Sequence, residues 1–262
     1  MTAERSFRII DLSVPLRNHA FESAPAEITY FTHRDTARRW ARIWGIDPDV
    51  LPDGLGAANE RIQLTPHSGT HVDSPYHYTP VSAGKPARTI DQVPLEWCYG
   101  DGVVLDMTHK KAGEGISAAE VQAALHKIGY TLKPFDIVLI RTDTDKRYDK
   151  PDYMEAQPGM TREATLWLLD QGIKVIGIDA WGLDRPFSVM VQDLKAGHVT
   201  AFWEAHYVGR EREYLQIEKL ANLDQLPYPF GFKVACFPVK IERASGGWCR
   251  AVAIIEGATS PA

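Results

Sequence analysis

The sequence predicts an α/β fold, a β-rich core flanked by helices, in a single domain spanning residues 1–262. Three observations predict it. Two capped helical segments are each followed by an apolar strand segment, and short runs of β-branched residues recur along the whole chain. No Ser/Gly tract, internal repeat or shift of composition marks a linker.

In chain order, strands are expected in RIIDLSV (8–14), RIQLTPH (61–67), GVVLDM (102–107), DIVLIRT (136–142), KVIGIDA (174–180), KVACFPVKIE (233–242) and CRAVAIIE (249–256). The first helix is expected in SAAEVQAALHKIG: Ser117 caps it, Glu120 completes a capping box, Val121, Leu125 and Ile128 share a face, and Gly129 ends it. The second, TREATLWLLDQG, has Thr161 as cap, Ala164, Leu168 and Leu169 as its apolar face and Gly172 as terminator. Residues 20–60 mix Tyr30, Phe31, Trp40 and Trp44 with Pro and Gly and show no sustained period, which predicts a lid or a subunit-contact arm.

With 29 Lys+Arg against 34 Asp+Glu the formal charge is -5, and no basic run alternates with aromatics, so nucleic acid is not an expected partner. No stretch approaches the ~18 apolar residues of a membrane span, and the start MTAERSFRIIDLSVPL does not read as a signal peptide. A cytoplasmic protein is expected. Cys98, Cys236 and Cys249 form no CxxC pair, which argues against a disulfide framework or a zinc ribbon.

Histidine is the informative residue: of nine, three fall between positions 67 and 77. TPHSGTHVDSPYHY puts His67, His71, Asp73 and His77 at odd positions. A helix would hold 71 and 73 about 200° apart, and Pro66, Gly69 and Pro75 disfavour one. An extended chain would point all four the same way, at least until Pro75 bends it. A single histidine on an apolar face is ordinarily a core residue; a cluster with a carboxylate suits Zn, Mn, Fe or Co. Gly69 would leave room for a close approach of metal or substrate. No G-x-S-x-G, G-x-G-x-x-G, Walker loop or H-E-x-x-H competes with this reading.

HSGTHVDSPYH resembles the H-x-G-T-H-x-D-x-P-x-H signature of the metal-dependent cyclase family of hydrolases, which includes bacterial kynurenine formamidases and isatin hydrolases. DLSVPL, GVVLD, KPFDIVLIRT, IGIDAWGLDRP and HYVGREREYLQIEKLANLDQLP extend the resemblance over residues 8–256. It implies a swivelling β/β/α fold, a homodimer or higher homo-oligomer, metal ligands at His67, His71 and Asp73, and a general acid/base at His77. His206 and Glu218, followed by Leu220, Asn222 and Leu223, fall where the family completes the site or holds a second metal. Two departures, the long segment 20–60 and Trp181 within DAWGLDRP, point to the isatin hydrolase branch.

The expected function is therefore hydrolytic opening of a small cyclic amide such as isatin by metal-activated water, with Mn(II) favoured and Zn(II) next. His77 would take the proton from that water and return it to the departing nitrogen. A backbone N–H near Gly69 or Thr70 would help hold the oxyanion, Asp184 or Glu218 would orient an imidazole, and Tyr30, Phe31, Trp44 and Trp181 would pack on the flat substrate. The alternatives are an arylformamidase acting on N-formyl-kynurenine and a non-catalytic protein that binds metal or a small aromatic ligand.

Overall fold

The computed structural model describes residues 7–18 and 21–257. Met1–Ser6, part of the start examined for a leader, and Ala20, the first residue of the expected arm, lie outside them, as do residues 258–262.

Nine strands form one mixed sheet. They are β1 (Phe7–Asp11), β2 (His71–Asp73), β3 (Tyr99–Asp106), β4 (Ile137–Arg141), β5 (Val175–Ile178), β6 (Leu215–Glu218), β7 (Phe230–Ala235), β8 (Gly246–Trp248) and β9 (Val252–Glu256). Their spatial order is β1-β9-β7-β3-β4-β5-β6-β2-β8. The central strands β3, β4, β5 and β6 run parallel, and the outer pairings are antiparallel. Parallel strands need crossovers and are covered on both faces, which explains why IVLI and VIGI are apolar at every position.

Alternation sorts those runs into two cores. Val138, Ile140, Ile176 and Ile178 pack with Val121, Leu125, Ala164 and Leu168 of the crossover helices. Ile137, Leu139, Val175 and Ile217 face Ile10, Leu12, Val72 and Val234 on the other side. Each fully buried Leu or Ile contributes about 1.5–3 kcal/mol through removal from water.

Five helices of five residues or more are described: α1 (His33–Trp44), α2 (Ala118–Ile128), α3 (Arg162–Asp170), α4 (Phe187–Lys195) and α5 (Glu204–Val208). Helices α2 and α3 begin at the caps expected from sequence: the Ser117 hydroxyl accepts from the Glu120 amide, and Thr161 from that of Ala164. Gly129 ends α2 in the left-handed region at φ 67°.

Three expectations need correction. RIQLTPH does not enter the main sheet; Asn59–Gln63 pairs with Glu27–Phe31 in a separate two-stranded ribbon. KVACFPVKIE leaves the sheet at Ala235, ahead of Pro238, which has no N–H for a ladder. Segment 20–60 contains the capped helix α1, where Ala37, Trp40, Ala41 and Trp44 recur at helical spacing among Arg34, Arg38, Arg39 and Arg42, so a helical period is present where none was expected.

Among the described residues no helix is long and apolar enough to cross a membrane.

Candidate metal centre

The histidines converge at the edge of the sheet where β6, β2 and β8 lie side by side. Antiparallel register sets Glu218 and Trp248 opposite His71, and Gln216 and Gly246 opposite Asp73. His71 and Asp73, two apart on a strand, share a face, while Val72 between them goes into the core. Glu218 is the last residue of β6, and Trp181–Asp184 follow β5. The site thus sits at the carboxyl ends of parallel strands, where α/β sheets present their ligand crevices.

The extended-chain explanation holds for His71 and Asp73 alone. His67 comes from a turn in which Gly69 has φ +61°, and His77 from the one-turn helix Pro75–Tyr78. Gly69 also has a different purpose from the one expected: its missing Cβ would lie 2.6 Å from the Leu16 side chain, so the glycine serves the turn and this packing. Its N–H is committed to the Glu22 carboxylate, which removes it as an oxyanion donor. A glycine that does make room is Gly246, where a Cβ would come within 2.9 Å of the His67 ring.

Three imidazoles have one nitrogen anchored and the other turned toward Asp73. His71 Nδ1 lies 2.8 Å from the Gly69 carbonyl, His67 Nε2 is 2.8 Å from Ser245 Oγ, and His206 Nδ1 is 2.5 Å from Asp184. Their other nitrogens face the two Asp73 oxygens: His67 Nδ1 and His71 Nε2 at 2.7 and 3.1 Å from Oδ1, His206 Nε2 at 3.9 Å from Oδ2. Glu218 lies 3.6 Å from His71 and 3.7 Å from His206. His71 Nε2 and Asp73 Oδ2 are buried without a hydrogen-bond partner among the described residues, the former close to Asp73 Oδ1 but not hydrogen-bonded to it. Buried polar atoms are rarely left so, and histidines oriented through their second nitrogen by carbonyl, hydroxyl and carboxylate are what a cation site requires. The donor set, imidazole and carboxylate with no thiolate, fits a divalent metal.

A cavity of about 290 Å³ opens beside this cluster; its lining includes His67, His77, His206, Glu218 and Lys219 together with Trp181, Phe187, Met190 and Trp203. Of the four aromatics expected to face substrate, Trp181 alone lines it. Tyr30 and Phe31 lie on the separate ribbon and Trp44 stacks on Trp40 at 5.3 Å near the end of α1, with exposures of 63%, 38% and 56%. Phe187 and Trp203 take their place, and nothing in the local sequence pattern distinguished them from core aromatics.

The Cyclase family model matches residues 10–185. The chain belongs to the Cyclase family. Among curated relatives of this cyclase-family chain, the isatin hydrolase of Roseibium aggregatum is 28% identical over 212 residues, covering 78% of this chain and 77% of that protein. The kynurenine formamidase of Erythrobacter litoralis is 27% identical over 220 residues, covering 83% and 84%. Among solved structures, isatin hydrolase A from Labrenzia aggregata bound to benzyl benzoate superposes with a TM-score of 0.75 at 23% identity, covering 96% of this chain and 94% of that one. Isatin hydrolase A from Ralstonia solanacearum gives 0.76 at 22% identity, covering 95% and 92%. The shared fold is the mixed α/β one, and the activity class that the family placement supports is hydrolase.

Charge in the cyclase-family site is organised around Asp73. Burial works against its ionisation, yet the surrounding His77, His71 and His67 hold it well below the usual carboxylate range. Glu218 is pushed up by burial and by the Asp73 charge. Burial lowers His206, but Asp184 outweighs this and raises it. His77 is brought down to about 4 by burial, against the opposing pull of Asp73, with the other histidines adding to the fall. At neutral pH His77 is therefore unprotonated, and burial makes it a weaker base than an ordinary imidazole.

Asp184 also accepts from the Ala205 and His206 amides, tying the start of α5 to the His206 ring. Ser245 and Gln157 were not legible as site residues; Gln157 donates to the Gly182 and Asp184 carbonyls and so braces the segment carrying Asp184.

Proposed function

We propose that the protein is a metal-dependent amide hydrolase that opens a small cyclic amide of the isatin type. The observation that carries this reading is the pair of buried, unpartnered atoms His71 Nε2 and Asp73 Oδ2, set among oriented imidazoles beside an aromatic-walled cavity. The isatin hydrolase relatives supply the substrate class. In this reading His67, His71 and Asp73 hold the ion, Mn(II) first and Zn(II) next, and His206 with Glu218 holds a second ion or backs the first from the Oδ2 side of Asp73. When bound, the ion supplies Lewis acidity and lowers the pKa of water toward ~7.

The chain's own residues do the rest. His77 takes a proton from the attacking water and returns it to the departing nitrogen, work that typically contributes about 10²–10⁴ in rate. Its ring sits 4.1 Å from that of His67, 5.5 Å from that of His206 and 5.7 Å from that of Trp203, which itself stacks on His206 at 4.5 Å. Trp181, Phe187 and Trp203 hold a flat bicycle and exclude water from the reacting bond. The reading includes a cytoplasmic homodimer in which the exposed ribbon and α1 form the subunit-contact arm, supported by the outward-facing Tyr30, Phe31 and Trp44.

Turnover of isatin, N-formyl-kynurenine and small lactones by the Mn(II)- and Zn(II)-loaded protein tests the proposal. Ring opening of isatin supports it. Fast release of formate from N-formyl-kynurenine with no ring opening replaces it with arylformamidase, and inertness toward all three despite metal uptake leaves a metal- or ligand-binding protein.

A further inference from the structure

The turn carrying His67 is gripped by a buried ion pair that the proposed chemistry does not use. Lys219 and Glu22 are both buried, and Lys219 Nζ lies 2.9 Å from Glu22 Oε2. The ammonium donates to the His67 carbonyl at 2.5 Å, while the carboxylate accepts from the Gly69 N–H at 3.2 Å. Both ends of the turn are therefore held by opposite charges of one pair. The same turn offers the Gly69 carbonyl to His71 Nδ1, so fixing its backbone fixes the orientation of two imidazoles.

Two features argue against simple structural filling. A buried ion pair is a poor source of stability compared with apolar residues of similar size, and its best-attested use is to specify one arrangement. Lys219 moreover has φ +57°, a conformation in which glycine or asparagine is at ease and a long side chain is strained. That strained backbone follows directly on Glu218 and is fixed by its own carbonyl, which accepts from Thr70 Oγ1 at 2.5 Å. A lysine retained there delivers its ammonium to two targets that both hold the turn, the His67 carbonyl and the Glu22 carboxylate.

We infer that Lys219 and Glu22 are positioning residues for the metal centre: together they set the His67–Gly69 turn and through it the ring orientations of His67 and His71. The inference rests on the proposed metal site and extends it to an ion pair that has no part in metal ligation or proton transfer in that reading; Lys219 borders the cavity and Glu22 does not.

The test compares Co(II) binding, by titration and by visible absorption, in the wild type, Lys219→Asn and Glu22→Gln/Lys219→Asn. Asparagine suits the left-handed backbone and is too short to reach His67. The single variant leaves Glu22 buried without its partner and should melt lower; the double variant removes that unpaired charge, recovers the melting temperature and carries the test if the single one does not fold. Both should bind Co(II) about 10–100-fold more weakly, with an altered visible spectrum. Wild-type affinity and spectrum in either variant overturn the inference, as does recovery of affinity in step with melting temperature in the double variant. A wild type that binds no Co(II) removes the metal reading itself, and this assignment with it.

Discussion

Glu218 and His71 face each other across an antiparallel strand pair, with Glu218 Oε2 3.6 Å from His71 Nε2. In the protein without metal this carboxylate is a liability, because burial and the Asp73 charge both disfavour its ionised form. Glu218→Gln, which removes the charge but keeps an oxygen for the Leu183 N–H, from which Glu218 Oε1 accepts at 2.9 Å, is therefore expected to leave the melting temperature of the metal-free protein level or higher, and to shrink the rise that saturating Mn(II) produces. A variant that melts lower without metal and keeps the full metal-induced rise would make Glu218 a structural carboxylate.

His77 is expected to separate binding from chemistry. It sits on its own one-turn helix, and the anchors that orient His67, His71 and His206 do not involve it. His77→Ala should keep metal affinity within a few-fold while lowering kcat on the best substrate by about 10²–10⁴. Loss of metal with His77 would instead make it a ligand.

Asp184 holds His206 through Nδ1 and ties down the first turn of α5. Asp184→Asn keeps the size but removes the charge, leaving the ring free to adopt the other tautomer. About a 10–100-fold loss of activity or metal affinity is expected. Because Asp184 is what raises His206, the imidazole should also titrate at lower pH in the variant, which histidine NMR resonances followed against pH would reveal. An unchanged His206 titration would sink the argument.

Much of this cluster was legible because His67, His71, Asp73 and His77 lie in one short segment with fixed spacing, and because the family resemblance pointed to His206 and Glu218. The parity argument was right for His71 and Asp73, which occupy a strand, and failed for His67 and His77, which reach the site by a turn and a helical turn. Sequence spacing alone cannot see such changes of direction. Lys219, Glu22 and Ser245 were invisible for a different reason: each meets the His67 turn only through tertiary contact. The central strands were readable since burial on both faces leaves an apolar run, whereas the period of α1, carried by Ala37, Trp40, Ala41 and Trp44, was passed over among the Pro- and Gly-containing stretches around it.

The start of α2 provides a prediction about stability with no bearing on catalysis. Glu120 accepts from the Ser117 amide at 2.8 Å and from Lys110 Nζ at 2.8 Å, closing the capping box. Burial acts to raise its pKa, but these hydrogen bonds outweigh it and bring the carboxyl from its ordinary 4.5 down to about 2. A carboxylate lowered on folding stabilises the protein fully above its unfolded-state pKa, and that contribution is lost as pH falls through the folded value. The wild type should therefore lose this increment between about pH 4.5 and pH 2, and Glu120→Gln, which keeps the shape of the box without the charge, should show a shallower decline there. At pH 7, Ser117→Ala should cost about 1 kcal/mol, since the first turn loses its hydroxyl acceptor. Urea unfolding of the three proteins across this pH range reads both effects, and parallel pH profiles for wild type and Glu120→Gln would show that the box contributes nothing through its charge.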